Sequence, residues 1–188
     1  MNKALSVIAA LLILGINSFA QTADNADKKV VENLTSNYSQ FTNYWMNKPF
    51  TLKSFRTIDG KFYTPGNLKG KAVFYRFSYH YCSPCRAELP IFTQLSDLAT
   101  DVLFVYVTYD DTATIRKSFE KTGGMHHVLV TQMTSEDISK GYYTLGYPSN
   151  FWVDKNGRVR NLKIGGRVNH VEETREEWLK QLSEIVSF

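Results

Sequence analysis

The chain holds two cysteines, and they stand close together as Cys82-Ser83-Pro84-Cys85. The apolar run Ala72-Val73-Phe74-Tyr75-Arg76-Phe77 precedes them, and the helix-like stretch Arg86 to Leu98 follows. A strand that ends in C-x-x-C and feeds a helix constrains the fold strongly, because this is the context of a redox motif rather than a zinc site. Zinc needs two further soft or imidazole ligands at compatible spacing, and no second cysteine pair supplies them. Residues i and i+3 at a helix start share a face with Cα atoms roughly 5 Å apart, inside the ~4.4–6.8 Å disulfide window. Such a pair opens and closes with little backbone movement. The competing reading is a structural staple, but so short a loop removes little entropy from the unfolded chain, well below the ~3 kcal/mol of a loop of about 15 residues.

Met1-Asn2-Lys3 forms a short positive start, and Ala4 to Ile16 is apolar apart from Ser6 and Gly15. Ser18-Phe19-Ala20 places small residues at −3 and −1 of a cut before Gln21. This pattern is expected of a secretory signal peptide over residues 1–20. Its apolar run of about 13 residues falls short of the ~20 that span a bilayer, although an uncleaved membrane anchor is the competing reading. No cysteine follows the apolar run, which excludes a lipoprotein anchor. The expected location is periplasmic or cell-envelope, where disulfides persist. The formal net charge is +4, with no Lys/Arg block to concentrate it, so nucleic-acid binding has no support.

Residues 21–45 are expected to form a polar lead and then an amphipathic helix, since Val30, Val31, Leu34, Tyr38, Phe41 and Trp45 recur at helical spacing. Pro49 is expected to end it. Asn33-Leu34-Thr35 matches a glycosylation sequon and is read as chance. Phe50 to Arg56 and Lys61 to Thr64 alternate around Asp59-Gly60, a hairpin signal. A strand over Ala72–Ser78 comes next, then a helix carrying Leu89, Phe92, Leu95 and Leu98 on one side. Val102–Val107 is a continuous apolar run, expected of a strand covered on both faces. A helix over Thr112–Thr122, a strand over Val128–Val130 and a helix over Ser135–Tyr143 complete the middle. Asn150–Val153 and Val159–Ile164 flank Asp154-Lys155-Asn156-Gly157, a second hairpin. Glu172 to Val186 closes the chain as a helix with Trp178, Leu182 and Ile185 inward. The fold class is therefore α/β, a mixed sheet between helices.

These motifs together resemble the thioredoxin fold, and more narrowly the exported thiol–disulfide oxidoreductases of the TlpA/ResA type. The resemblance spans roughly residues 46–186. It rests on Leu68-Lys69-Gly70-Lys71 before the central strand, on Cys82-Ser83-Pro84-Cys85-Arg86-Ala87-Glu88-Leu89-Pro90, and on Gly146-Tyr147-Pro148 followed by a strand and Val153-Asp154-Lys155-Asn156-Gly157. It implies a thioredoxin-like three-layer sandwich over residues 46–188 with an N-terminal helix and hairpin extension. It implies Cys82 as the exposed attacking thiol, Cys85 as the buried resolving thiol, and a disulfide between them. Pro148 is implied as a cis-proline facing that disulfide, with the backbone of Tyr147 open to a substrate strand; an ordinary trans turn proline is the alternative. Glu88 is implied as the acid near the resolving cysteine and Pro90 as a helix kink. Glu88 lies one turn beyond Cys85, where a partly buried carboxylate accepts a proton or repels a thiolate; a surface glutamate is the alternative. A thiolate at a helix N-terminus is favoured by the dipole and free N–H groups, and Pro84 suits the first turn.

Two positions depart from that family. Tyr81 stands before the first cysteine where the family usually has Trp, which keeps an aromatic ring for substrate contact and adds a hydroxyl. Arg76 stands where thioredoxins carry a buried acid. A cation there would stabilise thiolate and make the protein more oxidising, unless Arg76 points to solvent or pairs with an acid such as Glu88. His80 would push the same way when protonated, with an exposed loop histidine as the alternative. The leading expectation is a reductase of disulfides in envelope proteins, working without a cofactor. The resemblance implies cytochrome c apoproteins among its targets and an upstream membrane electron donor. An oxidase or isomerase on the same scaffold is the second reading. A copper chaperone using His80, His126, His127 and His170 is the third, although such proteins resemble C-x-x-x-C.

Overall fold

A computed structural model describes residues 38–142 and 144–188. The expected signal peptide, the sequon and the first half of the amphipathic helix lie outside them, as does Tyr143. Thirteen elements follow in order: α1 (Tyr38–Trp45), β1 (Phe55–Arg56), β2 (Phe62–Tyr63), α2 (Pro65–Leu68), β3 (Ala72–Phe77), α3 (Ser83–Leu98), β4 (Val102–Thr108), α4 (Thr112–Glu120), β5 (Val128–Gln132), α5 (Ser135–Tyr142), β6 (Ser149–Val153), β7 (Val159–Ile164) and α6 (Val171–Ser187).

The main sheet has the order β5-β4-β3-β6-β7. β3, β4 and β5 run parallel, joined by crossovers through α3 and α4, while β6 and β7 return antiparallel. β3 lies at the centre and is buried along its whole length, which explains its near-continuous apolar sequence. Strand alternation divides its side chains between two cores. Val73, Tyr75 and Phe77 face one that includes Phe41 and Trp45 of α1, Phe50, Ile138 and Phe151. Ala72 and Phe74 face the other, built with Phe92 and Leu95 of α3, Phe119 of α4, Trp152, and Trp178 and Leu182 of α6. Helices therefore cover both faces, giving the three-layer thioredoxin-like sandwich that the sequence implies.

Several boundaries differ from expectation. The first hairpin keeps only two residues in each strand, and its turn end joins the β5 edge through a Thr57–Thr131 bridge and the Ile58 N–H on Val130 O, 2.9 Å. Covering that edge blunts it against pairing with other chains. α1 ends at Trp45, well before Pro49, with Asn47 left-handed at φ 63°. Tyr38 is half exposed rather than apolar-faced, and its hydroxyl accepts from Ile164 N–H. Leu98 is exposed at the end of α3 instead of facing inward. The short helix α2, introduced by Pro65 after Thr64, was not anticipated.

Candidate active site

The site sits at the C-terminal end of β3. Cys82 is the N-cap of α3, and its sulfur accepts the Cys85 N–H at 3.2 Å. Cys82 and Cys85 are joined as a disulfide with Cα atoms 5.1 Å apart, matching the helix-start geometry. The first turn leaves backbone N–H groups free, so negative charge on the Cys82 sulfur is favoured there. Pro84 occupies the first turn, and Pro90 lies inside the helix, as expected. Cys82 is less exposed than anticipated, at 7 % against 2 % for Cys85. Tyr81, the residue before Cys82, is in contrast 82 % exposed, its ring edge-on to His80 at 5.2 Å.

β6 pairs with β3 in a register that places Ser149 opposite Phe77. Pro148 therefore enters the sheet at the end where the cysteine loop leaves it. The Tyr147–Pro148 peptide bond is cis. Tyr147, Tyr79 and Tyr109 form a ring cluster at this end, with Tyr79 stacked on Tyr109 at 5.1 Å and edge-on to Tyr147 at 5.0 Å. Partial burial, with help from Tyr79, Tyr147 and Asp110, pushes the Tyr109 phenol up to about 12. This cluster was not anticipated; its three residues are dispersed over the chain, and no periodic pattern links them.

Arg76 and Glu88 are both fully buried and form an ion pair. Both terminal nitrogens of Arg76 donate to Glu88 Oε2 at 3.2 Å; Nη1 also donates to Asn150 Oδ1 at 2.8 Å, and Nη2 to the Cys85 carbonyl at 3.3 Å. The guanidinium lies 5.1 Å from the Trp178 ring. Burial pushes the Arg76 pKa below its ordinary value, and the Glu88 charge opposes that shift. Of the sequence alternatives for Arg76, pairing with Glu88 is the one observed. Glu88 is neither a surface residue nor only partly buried: its second oxygen, Oε1, accepts the Arg167 N–H at 3.0 Å. The strand alternation explains the pairing, since Arg76 follows Ala72 and Phe74 onto the face covered by α3.

His80 is half buried rather than a free loop histidine. Its Nδ1 lies 3.1 Å from Ser118 Oγ, and its N–H donates to Asp110. His170 pairs with Glu173 on α6. Among the described residues no group of three or more His, Cys, Asp or Glu could hold a metal, so His80, His126, His127 and His170 are not brought together. Sequence reasoning also missed Asn150, Gly166 and Arg167 at this site. Asn150 could have been found from the β3–β6 register, which sets it opposite Arg76; the loop residues carry no such signal.

A disulfide capping a helix N-terminus at the end of a central parallel strand defines the class as a thiol–disulfide oxidoreductase of thioredoxin fold. The Redoxin family model matches residues 46–178, and the chain belongs to that family. It is 29% identical over 128 residues to the thiol-disulfide oxidoreductase ResA of Bacillus thuringiensis subsp. konkukian, a match covering 67% of this chain and 72% of that protein. A thiol:disulfide interchange protein of the thioredoxin family from Chlorobium tepidum superposes with a TM-score of 0.58 at 25% identity, over 73% of this chain and 97% of that one. A secreted disulfide oxidoreductase of Mycobacterium tuberculosis gives 0.59 at 16% identity, over 70% and 94%, and shares the fold. The chain is an enzyme of dithiol/disulfide exchange, with Cys82 and Cys85 as its C-x-x-C pair.

Proposed function

We propose that the protein is an exported reductase of disulfides in envelope proteins, with Cys82 as nucleophile. The observation that carries the residue roles is the position of the Cys82 sulfur at the N-terminus of α3, accepting the Cys85 N–H. In the reduced protein, Cys82 thiolate attacks a substrate disulfide. One substrate sulfur leaves as thiolate and takes a proton, and a mixed disulfide remains. Cys85 then attacks the Cys82 sulfur, the second substrate sulfur leaves, and the Cys82–Cys85 disulfide closes. The substrate gains two electrons and the protein loses two, so a dithiol or membrane electron donor upstream must return them.

Tyr147 and Pro148 offer backbone to the substrate strand, while Tyr81 and Pro84 flank the reacting sulfur. Glu88 sits one turn beyond Cys85, and the Arg76 charge is matched by Glu88 rather than directed at the cysteines alone. Pairing of this kind weakens the case for Arg76 as a device that makes the protein strongly oxidising. Export is supported by the Met1–Ala20 pattern, and the M. tuberculosis neighbour of the same fold is a secreted protein. Cytochrome c apoproteins belong to the same proposal as a substrate class.

The test has two arms. Reduced protein mixed with a disulfide-bonded test protein should transfer two electrons per chain; failure to reduce it, together with rapid oxidation of a dithiol test protein by the Cys82–Cys85 disulfide form, would favour the oxidase reading. Mass spectrometry of the exported protein should find an N-terminus at or near Gln21, whereas an intact Met1 would indicate an anchored form.

A further inference from the structure

The two oxygens of Glu88 serve two different arms of one ring. From Oε2 the ring runs through Arg76 to Asn150 Oδ1, and Asn150 lies two residues after Pro148. From Oε1 it runs to the Arg167 N–H, and two residues back the Gly165 N–H donates to the Pro148 carbonyl at 2.8 Å. Both arms end on the segment around the cis Tyr147–Pro148 bond, and both start from one carboxylate on the active-site helix. The turn in the second arm has a second peculiarity. A Cβ built on Gly166 would lie 2.6 Å from Glu88 Oε1, 2.7 Å from Cδ and 2.8 Å from Oε2. No side chain fits at that distance. Gly165 differs, with φ at +80° and nothing within 4 Å of its Cβ position, so its demand is conformational rather than spatial.

We propose that the Gly165-Gly166-Arg167 turn is a positioning element of the exchange reaction, joining the Glu88 carboxylate to the Pro148 backbone, with Gly166 as the residue that lets the carboxylate reach its donor. This rests on the reading of Cys82 and Cys85 as the exchanging pair and of the Tyr147-Pro148 backbone as the seat of the substrate. Glu88 lies on the face of α3 one turn from Cys85, and Arg76 touches the Cys85 carbonyl, so the ring ties the resolving cysteine to the substrate-facing loop. Glu88 then acts as a strut that sets the spacing between sulfur and substrate strand. Small errors in such spacing are costly in rate, up to about a hundredfold for 1 Å.

The test is a double-mutant cycle on Gly166→Ala and Glu88→Ala. Rates are measured per folded molecule against both a disulfide-bonded protein and bis(2-hydroxyethyl) disulfide. Gly166→Ala should slow reduction of the protein substrate on the order of tenfold, with a smaller loss for bis(2-hydroxyethyl) disulfide, which has no peptide backbone to pair along Tyr147-Pro148. In the Glu88→Ala background the same change should cost nothing further, because the clash partner is gone. Losses that multiply, or a rate per folded molecule unchanged by Gly166→Ala, would overturn the proposal. Should Gly166→Ala fail to fold, its combination with Glu88→Asp, which draws the carboxylate back by one methylene and keeps its charge for Arg76, should fold again, and absence of that rescue would overturn it equally. The underlying exchange reading fails in a different way, by a Cys82→Ala protein that keeps the wild-type rate.

Discussion

Among the described residues two carboxylates are buried, near opposite ends of the β6 environment, and they are satisfied in different ways. Asp154 accepts the N–H groups of Asn156 and Arg158 at 2.9 Å on one oxygen and Arg160 Nε at 2.6 Å on the other. Its donors all come from the next six residues, so it staples the hairpin between β6 and β7. Glu88 takes its donors from Arg76 and Arg167, which are 12 and 79 residues away in sequence. A turn closes over its own aspartate at little entropic cost, whereas gathering three distant segments around one charge requires the whole fold. A buried ion pair is also weak evidence for stability, since desolvation offsets much of the attraction. The nonlocal pair lies beside the disulfide and the local one does not. Asp154 builds a turn; Glu88, on the proposal above, aligns a site.

The comparison breaks most readily at the arginines. Arg76→Met should cost about 3–5 kcal/mol, because it leaves Glu88 buried opposite no charge. Arg160→Met should cost only about 1 kcal/mol, since Arg160 is 22% exposed and Asp154 keeps both backbone donors. Urea unfolding of the two variants measures the difference, and equal losses would mean that the two carboxylates are alike. A smaller effect separates them in function. Glu88→Ala should slow exchange per folded molecule on the order of tenfold, while Asp154→Ala should lower stability and leave that rate unchanged.

The smallest effect is in alkali and concerns the tyrosines at the Glu88 end. With the Tyr109 pKa raised to about 12, its neutral form favours the fold. That contribution is complete below the unfolded pKa of about 10 and is lost as pH rises through 12. Stability should therefore fall between about pH 10 and 12, less steeply in Tyr109→Phe, as followed by circular dichroism with tyrosinate absorbance. Titration of Tyr109 near pH 10 would remove the burial argument.

The sequence was most informative where the determinants are local. The strand–C-x-x-C–helix order, the continuous apolar runs of β3 and β4, and the D-x-N-G hairpin around Asp154 each rest on neighbouring residues, and each appears close to its expected bounds. Even the Asp154 network follows from its own turn. Arg76 was visible as an anomaly in an apolar strand, but its direction was not, because that depends on which helix covers which face. Glu88's second partner was hidden for a stronger reason: a backbone N–H 79 residues away carries no residue-type signal at all. The Tyr79–Tyr109–Tyr147 cluster is likewise assembled only by the sheet, from the ends of three connections.

The account stands on unequal roles for the two cysteines, and trapping measures that inequality directly. Cys85→Ala and Cys82→Ala proteins are expressed side by side, quenched with acid, alkylated and separated without reductant. Cys85→Ala should accumulate mixed disulfides with substrate proteins, identifiable by mass spectrometry, because Cys82 attacks and nothing resolves the product. Cys82→Ala should accumulate none. Equal trapping by both variants, or trapping by Cys82→Ala alone, would contradict the assignment of Cys82 at the helix N-terminus as the nucleophile.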